Sequence, residues 1–242
     1  METVINIKDL KKNFKNNEVL KGLNLSVNKG ENLVIIGKSG EGKSVTLKCI
    51  TGLITPDEGS VKVFDKEVAS LDEDELKELR CRIGFLFQGA ALYDSMTVKE
   101  NLAFPLRRVL RLKDEKEIEK RSVQVLKAVD LSDTLHKMPA ELSGGMRKRL
   151  ALARTLIVHP EIILYDEPTT GLDTITSREI SELILEMKKK YNTTSLIVTH
   201  DIPCAKMVAD RIVVMREGKT IADGKAADLE NSKDAFIRSF FN

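Results

Sequence analysis

Leu33-Val34-Ile35-Ile36-Gly37-Lys38-Ser39-Gly40-Glu41-Gly42-Lys43-Ser44 is the stretch from which the fold follows. Four consecutive apolar residues suit a strand covered on both faces. The eight residues after them match the pattern G-x-x-x-x-G-K-[ST]. Glycines let successive backbone N–H groups turn inward onto phosphate oxygens. The helix expected to open at Lys43 adds the positive end of its dipole. Lys43 is then placed to reach β- and γ-phosphates, and the Ser44 hydroxyl to hold Mg²⁺. The helical run ends at Gly52. A buried strand before the loop and a helix after it separate this motif from an ordinary glycine-rich turn.

Outward from the loop, Leu23, Leu25 and Val27 alternate with polar neighbours, as in a half-buried strand. A turn at Asn28-Lys29-Gly30-Glu31 leads from it into Leu33. Apolar runs at Ile83–Phe87, Ile162–Tyr165, Ser195–Val198 and Ile212–Met215 read as further buried strands. Helical patterns lie between them, and in one Ile180, Leu183, Ile184 and Met187 share a face. Strands alternating with helices predict a largely parallel sheet. From Thr97 to His159 the pattern changes to three helices with no strand. Two of these open on capping boxes, Thr97 with Glu100 and Asp114 with Glu117. The expected architecture is α/β with a helical insertion.

Two more segments carry chemistry. Ile162-Ile163-Leu164-Tyr165-Asp166-Glu167 is an apolar strand ending in adjacent carboxylates. Beside the phosphate loop, Asp166 can hold Mg²⁺ through water, and Glu167 can orient or deprotonate an attacking water. Leu142-Ser143-Gly144-Gly145-Met146 precedes Arg147-Lys148-Arg149. Ser143 can cap a helix whose apolar stripe is Met146, Leu150, Ala153 and Ile157. The glycines leave that helix start bare, which makes it an anion site. One loop already cradles the phosphates of this chain. A second phosphate-seeking helix start is surplus unless it serves another molecule's nucleotide.

Composition excludes several classes. The 39 basic and 37 acidic residues nearly cancel, leaving a net charge of +2. No basic stripe suited to nucleic acid is present. The run Lys188-Lys189-Lys190 falls at a helix end, where cations complement the dipole. The first residues show no secretory signal, and no apolar run approaches the roughly 18 residues of a membrane span. Cys49, Cys81 and Cys204 have no metal-ligand spacing and read as small core residues of a cytosolic chain.

These motifs, in this order, resemble the ATP-binding-cassette ATPases over essentially the whole chain. The resemblance implies one domain over residues 1–242. Its core is of the P-loop NTPase (RecA-like) kind, with a mixed, largely parallel sheet. It adds an N-terminal antiparallel β subdomain and a helical subdomain inserted at about residues 89–160. ATP and Mg²⁺ are the implied cofactors. Phe14 stands where the family stacks an aromatic ring, usually tyrosine, on adenine. Gln88 matches the Q-loop glutamine that senses Mg²⁺ and the permease, and His200 the switch histidine on the γ-phosphate. Leu142–Met146 matches the signature that meets the partner subunit's nucleotide. Thr170-Gly171-Leu172-Asp173 matches the D-loop, placing Asp173 at the dimer interface. His136 and His159 match nothing and are read as structural. The implied assembly is a homodimer on the cytoplasmic face of a cell membrane, joined to a permease through residues 89–106.

Two departures narrow the branch. Met146 replaces the usual signature glutamine, and the Q-loop runs Phe87-Gln88-Gly89-Ala90-Ala91-Leu92-Tyr93-Asp94-Ser95-Met96-Thr97-Val98. With Glu100-Asn101, Phe104-Pro105-Leu106-Arg107 and Ile237-Arg238-Ser239-Phe240, these are similar to the ATPase of Mla-type phospholipid transporters (the MCE systems). That similarity implies phospholipid as cargo and MCE-type lipid-binding subunits as partners. Some members carry a further tail that clasps the partner subunit, whereas this sequence ends at Asn242. The alternatives are another transport substrate, or a non-transport ATPase of the iron–sulfur assembly or cell division type. DNA-repair members carry coiled coils, and no sustained heptads occur here. A small-molecule P-loop kinase leaves Ser143–Gly145 and His200 without a role.

Overall fold

Side-chain alternation divides the strands between two sheets. A computed structural model describes residues 2–15 and 17–241; Met1 and Asn242, the limits of the expected domain, lie outside the described residues. The strands are β1 (Thr3–Phe14), β2 (Asn17–Asn28), β3 (Asn32–Ile36), β4 (Glu58–Val63), β5 (Lys66–Glu67), β6 (Ile83–Leu86), β7 (Ile162–Asp166), β8 (Thr194–Thr199), β9 (Arg211–Arg216) and β10 (Lys219–Gly224). The helices are α1 (Lys43–Ile50), α2 (Glu73–Cys81), α3 (Val98–Arg108), α4 (Glu115–Ala128), α5 (Gly144–Leu156), α6 (Thr174–Tyr191), α7 (Ile202–Val208), α8 (Ala226–Glu230) and α9 (Ala235–Arg238).

Strands with one polar face form a four-stranded sheet in the order β2-β1-β4-β5, antiparallel throughout. The largely apolar, buried strands form a six-stranded sheet, β10-β9-β3-β8-β7-β6, with the half-exposed β10 at one edge. It is parallel from β9 to β6, with β10 antiparallel at its edge. The sequence-based expectation of a mixed, largely parallel sheet with an antiparallel N-terminal sheet describes this arrangement.

The six-stranded sheet has a core on each face. Leu33, Ile35, Leu164, Leu196 and Val198 pack toward the antiparallel sheet and α1. Val34, Ile36, Ile163, Tyr165 and Ile197 pack toward the other helices. Fully burying each such side chain contributes about 1.5–3 kcal/mol, so β3 is anchored from both sides and its end is a rigid base for the loop that follows.

The helical segment between β6 and β7 contains α3, α4 and α5. Thr97 opens α3 with a complete capping box. The expected second box at Asp114 is one-sided. Asp114 accepts from the backbone N–H groups of Lys116 and Glu117, but the Glu117 carboxylate is drawn to Arg121 at 2.8 Å instead of reaching back. A charged partner one turn on outcompetes a neutral N–H. Lys188, Lys189 and Lys190 occupy the last turn of α6, as the dipole argument expects.

The cysteines correct one expectation. Cys49 and Cys204 are buried, but Cys81 is exposed, because it ends α2 where the helix leaves the core. His159 takes a left-handed backbone (φ 55°) and lays its ring against Tyr191, 5.4 Å between centroids.

Candidate functional site

The phosphate-loop glycines are demanded by close packing as well as by conformation. Gly42, at the N-cap of α1, has φ +96°, and a Cβ there would fall 2.7 Å from Leu20 Cδ2. Any other residue strains the loop or expels β2. Directly after it, the buried Lys43 ammonium donates to the carbonyls of Gly37 and Lys38 at 2.8 and 3.0 Å. It also lies 3.8 Å from Glu167 Oε1. Burial pulls the Lys43 pKa below the ordinary lysine range, against the opposing pull of Glu167, Glu41 and Asp166.

Pairing of β3 with β8, and of β8 with β7, brings the paired carboxylates beside this loop. The Ser44 hydroxyl donates to Asp166 Oδ1 at 2.6 Å. Burial raises the Asp166 pKa, and the Ser44 hydrogen bond works the other way. Two converging hard oxygens suit Mg²⁺, which takes one or two protein ligands and completes its shell with water and phosphate. No cluster of three or more His, Cys, Asp or Glu side chains competes for a metal among the described residues.

Glu167 is buried, yet its backbone is left-handed (φ 51°). Its Oε2 accepts the backbone N–H of His200 at 3.2 Å and lies 2.8 Å from His200 Nδ1. The Thr170 hydroxyl donates to the same oxygen at 3.3 Å. His200 is exposed, so it is no core histidine.

A cavity of about 490 Å³ is lined by Gly40, Lys43, Ser44, Gln88, Glu167 and His200, among others. The structure thus gathers loop, carboxylate, Q-loop and switch residues into one space. Others of the sequence-derived set stand outside it. Phe14 is exposed at the end of β1, with its ring under the Lys12 ammonium at 5.6 Å and not among the cavity's walls. Glu41 turns its carboxylate to the backbone N–H of Glu217. Asp173 caps α6, accepting from Thr176 N at 2.9 Å and from its hydroxyl at 2.8 Å.

The glycine pair at the start of α5 also lies elsewhere. Ser143 caps the helix, accepting from Met146 N at 3.3 Å. Gly144 borders a different cleft of about 520 Å³ with Gln88, Lys148 and Gly171. Gly145 has a packing reason of its own, since a Cβ would meet Thr176 Cγ2 at 2.6 Å. Gly144 has no such neighbour, its nearest being Leu172 Cδ2 at 3.7 Å.

The family model for ABC transporters matches residues 20–170, from β2 through both phosphate-loop and carboxylate motifs. The chain belongs to the ABC transporter family. Among curated relatives it is 40% identical over 226 residues to the methionine import ATP-binding protein MetN of Clostridium tetani, covering 93% of this chain and 70% of the relative. It is 38% identical over 242 residues to the probable ribonucleotide transport ATP-binding protein mkl of Mycobacterium leprae, covering 100% of this chain and 70% of that one. The chain spans about 59 to 70% of the length of the curated relatives it matches. Among solved structures, the ATP-binding cassette MJ0796, described as a dimer in a post-hydrolysis state bound to ADP and Pi, superposes with a TM-score of 0.84. It is 36% identical, covering 91% of this chain and 98% of that chain. As an ABC cassette the chain is an ATPase using ATP with Mg²⁺. No described helix is long and apolar enough to cross a membrane.

The ABC cassette also holds residues that motif reading missed. Lys148 on α5 is buried, and its ammonium donates to the carbonyl of Gln88 and, at 3.4 Å, to that of Glu167. Desolvation lowers its pKa, while the nearby Asp166 and Glu167 charges oppose the shift. Arg154, on the same helix, donates to the Ala90 carbonyl at 3.1 Å. A signal was available. Lys148 stands three and four residues before Ala151 and Leu152, which form a second apolar face of α5, and a lysine on a helix buried on both faces is itself buried.

Proposed function

We propose that the chain is the nucleotide-binding subunit of an ABC transporter, hydrolysing ATP in a homodimer on the cytoplasmic side of a membrane. Residues 1–242 act as one ATP-binding domain, with residues 89–160 as its helical subdomain. The observation that carries the reading is the division of the site into two clefts. The loop, Glu167 and His200 share one cavity, with Asp166 tied to it through the Ser44 hydroxyl, whereas Ser143 and Gly144 belong to another surface. A helix start with an unencumbered Gly144 is available to a γ-phosphate held by a second copy.

In this reading the loop from Gly37 to Ser44 binds the ATP phosphates. Ser44, Asp166 and Gln88 hold Mg²⁺. Glu167 orients the attacking water, and His200 contacts the γ-phosphate. Phe14 supplies a face for adenine, and Ser143, Gly144, Gly145 and Asp173 complete the partner's site.

Function in trans has a direct test. Lys43→Ala and Ser143→Arg chains, each inactive alone, are mixed so that heterodimers keep one intact composite site. ATPase activity rises above both parents. Full activity of Ser143→Arg by itself overturns the arrangement.

The permease contact is proposed around Gly89–Leu106. A groove of about 310 Å³ there is walled by Phe85, Phe87, Tyr93, Phe104, Pro105 and Val158. Phe85 and Phe87 stack at 4.1 Å, and Tyr93 leans on Phe104 at 4.8 Å while 41% exposed. Met96 is half-buried. Aromatic walls open to solvent mark a partner's seat. Tyr93→Asp is expected to weaken copurification with the membrane subunit severalfold without changing ATP affinity. If membrane association survives Tyr93→Asp combined with Met96→Asp, the contact lies elsewhere.

For the cargo we favour phospholipid, with MCE-type subunits, on Met146 and the Q-loop sequence. Methionine import is the second reading, favoured by the names of the MetN relatives. A complex extracted from membranes, with partners and bound lipid identified by mass, separates the two. An MCE-type chain with lipid supports the first, and a methionine-binding chain the second.

A further inference from the structure

Lys148 has a geometry that its place beside the signature does not explain. It leaves the second turn of α5 and reaches two carbonyls at once, that of Gln88 after β6 and that of Glu167 after β7. Both belong to backbones in uncommon conformations. Glu167 has φ 51°, and Ala90 and Ala91, just past Gln88, have φ 62° and 49°. A residue with a Cβ held left-handed is strained and persists only where its surroundings over-determine it.

Those surroundings can be traced group by group. The Glu167 N–H is fixed by the Val198 carbonyl at 2.9 Å, and its C=O by the Lys148 ammonium. The Q-loop is fixed at Gln88 by Lys148 and at Ala90 by Arg154. One buried cation therefore ties three elements together: the signature helix, the Q-loop and the peptide that aims the Glu167 carboxylate. A lysine in a dry site is a costly choice for packing alone, since desolvation opposes its charge. Its three donors and flexible stem suit the bridging of two separate carbonyls.

We propose that Lys148 is a positioning residue, holding the Glu167 peptide and the Q-loop in mutual register so that the Glu167 carboxylate faces the attacking water. The proposal rests on the reading of Glu167 given above. It extends that reading by making the Q-loop and the water-orienting group move as one unit through a single side chain. Lys148 acts through the Gln88 and Glu167 carbonyls it holds.

The test uses the whole purified chain at concentrations that permit dimerisation. Lys148→Met keeps an apolar stem but deletes the donors, and Lys148→Gln restores two N–H donors without the charge. Lys148→Met is expected to lower kcat about tenfold with KM for ATP unchanged within twofold. Lys148→Gln returns to within about threefold of the wild type. A packing role alone predicts no recovery in Lys148→Gln and no separation of kcat from KM. Wild-type kcat in Lys148→Met, or a loss carried wholly by KM, overturns the proposal. Should Lys148→Met fail to fold, Lys148→Gln decides: a folded chain below a tenth of wild-type kcat overturns it. Glu167→Gln is measured alongside. Wild-type turnover in that variant removes the Glu167 reading itself, a failure distinct from that of Lys148.

Discussion

A Glu167→Gln chain elutes as a dimer with Mg²⁺-ATP and as a monomer without nucleotide, while its ATP turnover falls at least about a hundredfold. The glutamine keeps the size of the side chain. It keeps an oxygen acceptor for the Thr170 hydroxyl and the His200 N–H, at 3.3 and 3.2 Å in the native site. What it loses is the base and one negative charge beside Lys43 and the incoming phosphates. ATP binding is therefore retained or strengthened as chemistry stops. A ligand that binds only the closed state stabilises that state by mass action, so unhydrolysed ATP holds the two copies together. The wild type stays mostly monomeric, because it turns its nucleotide over. Size-exclusion chromatography with and without Mg²⁺-ATP reads the first effect, and phosphate release the second. Wild-type turnover in Glu167→Gln would take the residue out of the mechanism.

Lys43→Ala yields a folded chain whose ATPase activity is at background, a loss of about 10²–10³-fold or more. The ammonium is the one cation that the loop itself brings into the cavity beside Ser44, at 7% exposure, with the Gly37 and Lys38 carbonyls around it. Charge moves onto the β- and γ-phosphate oxygens during transfer, and a preorganised cation in a dry site stabilises it more than water does. The fold survives the change because the Lys43 side chain belongs to neither apolar core. A circular-dichroism spectrum matching the wild type accompanies the loss. Near-normal turnover would sink the assignment of the loop.

The elements whose local pattern carried their tertiary role were legible in the sequence. The run Leu33–Ile36 could only be a strand buried on both faces, and it pairs with β8 on one side and β9 on the other. Asp166 and Glu167 could be placed at a strand end, and the strand does stop at Asp166. The N-cap at Ser143 and the box at Thr97 are bonds between near neighbours, so sequence spacing suffices to write them. Asp114 shows the limit of that reasoning, because a nearby arginine redirected the carboxylate the box required.

Contacts between residues distant along the chain were not legible. The motifs put Ser44 and Asp166 at one metal but not the direct hydrogen bond between them, and nothing local says that Cys81 emerges to solvent while Cys49 and Cys204 do not. Gly145 appears in the sequence as a bare helix start, yet α6 presses Thr176 against it. Ala151 and Leu152 hinted at the burial of Lys148, but its carbonyl partners after β6 and β7 could not be read from the sequence. The sequence by itself determined the buried strands β3, β6, β7, β8 and β9, the helical stretch between β6 and β7, the phosphate loop and the identity of the titratable groups, because each depends on periodicity and short-range bonding. Only the tertiary structure decided which of those groups share a cavity, that Gly144 borders a separate cleft, and that a buried lysine joins the Q-loop to Glu167. Those outcomes depend on sheet order and on the angle at which α5 and α6 pack, and both are properties of the assembled core.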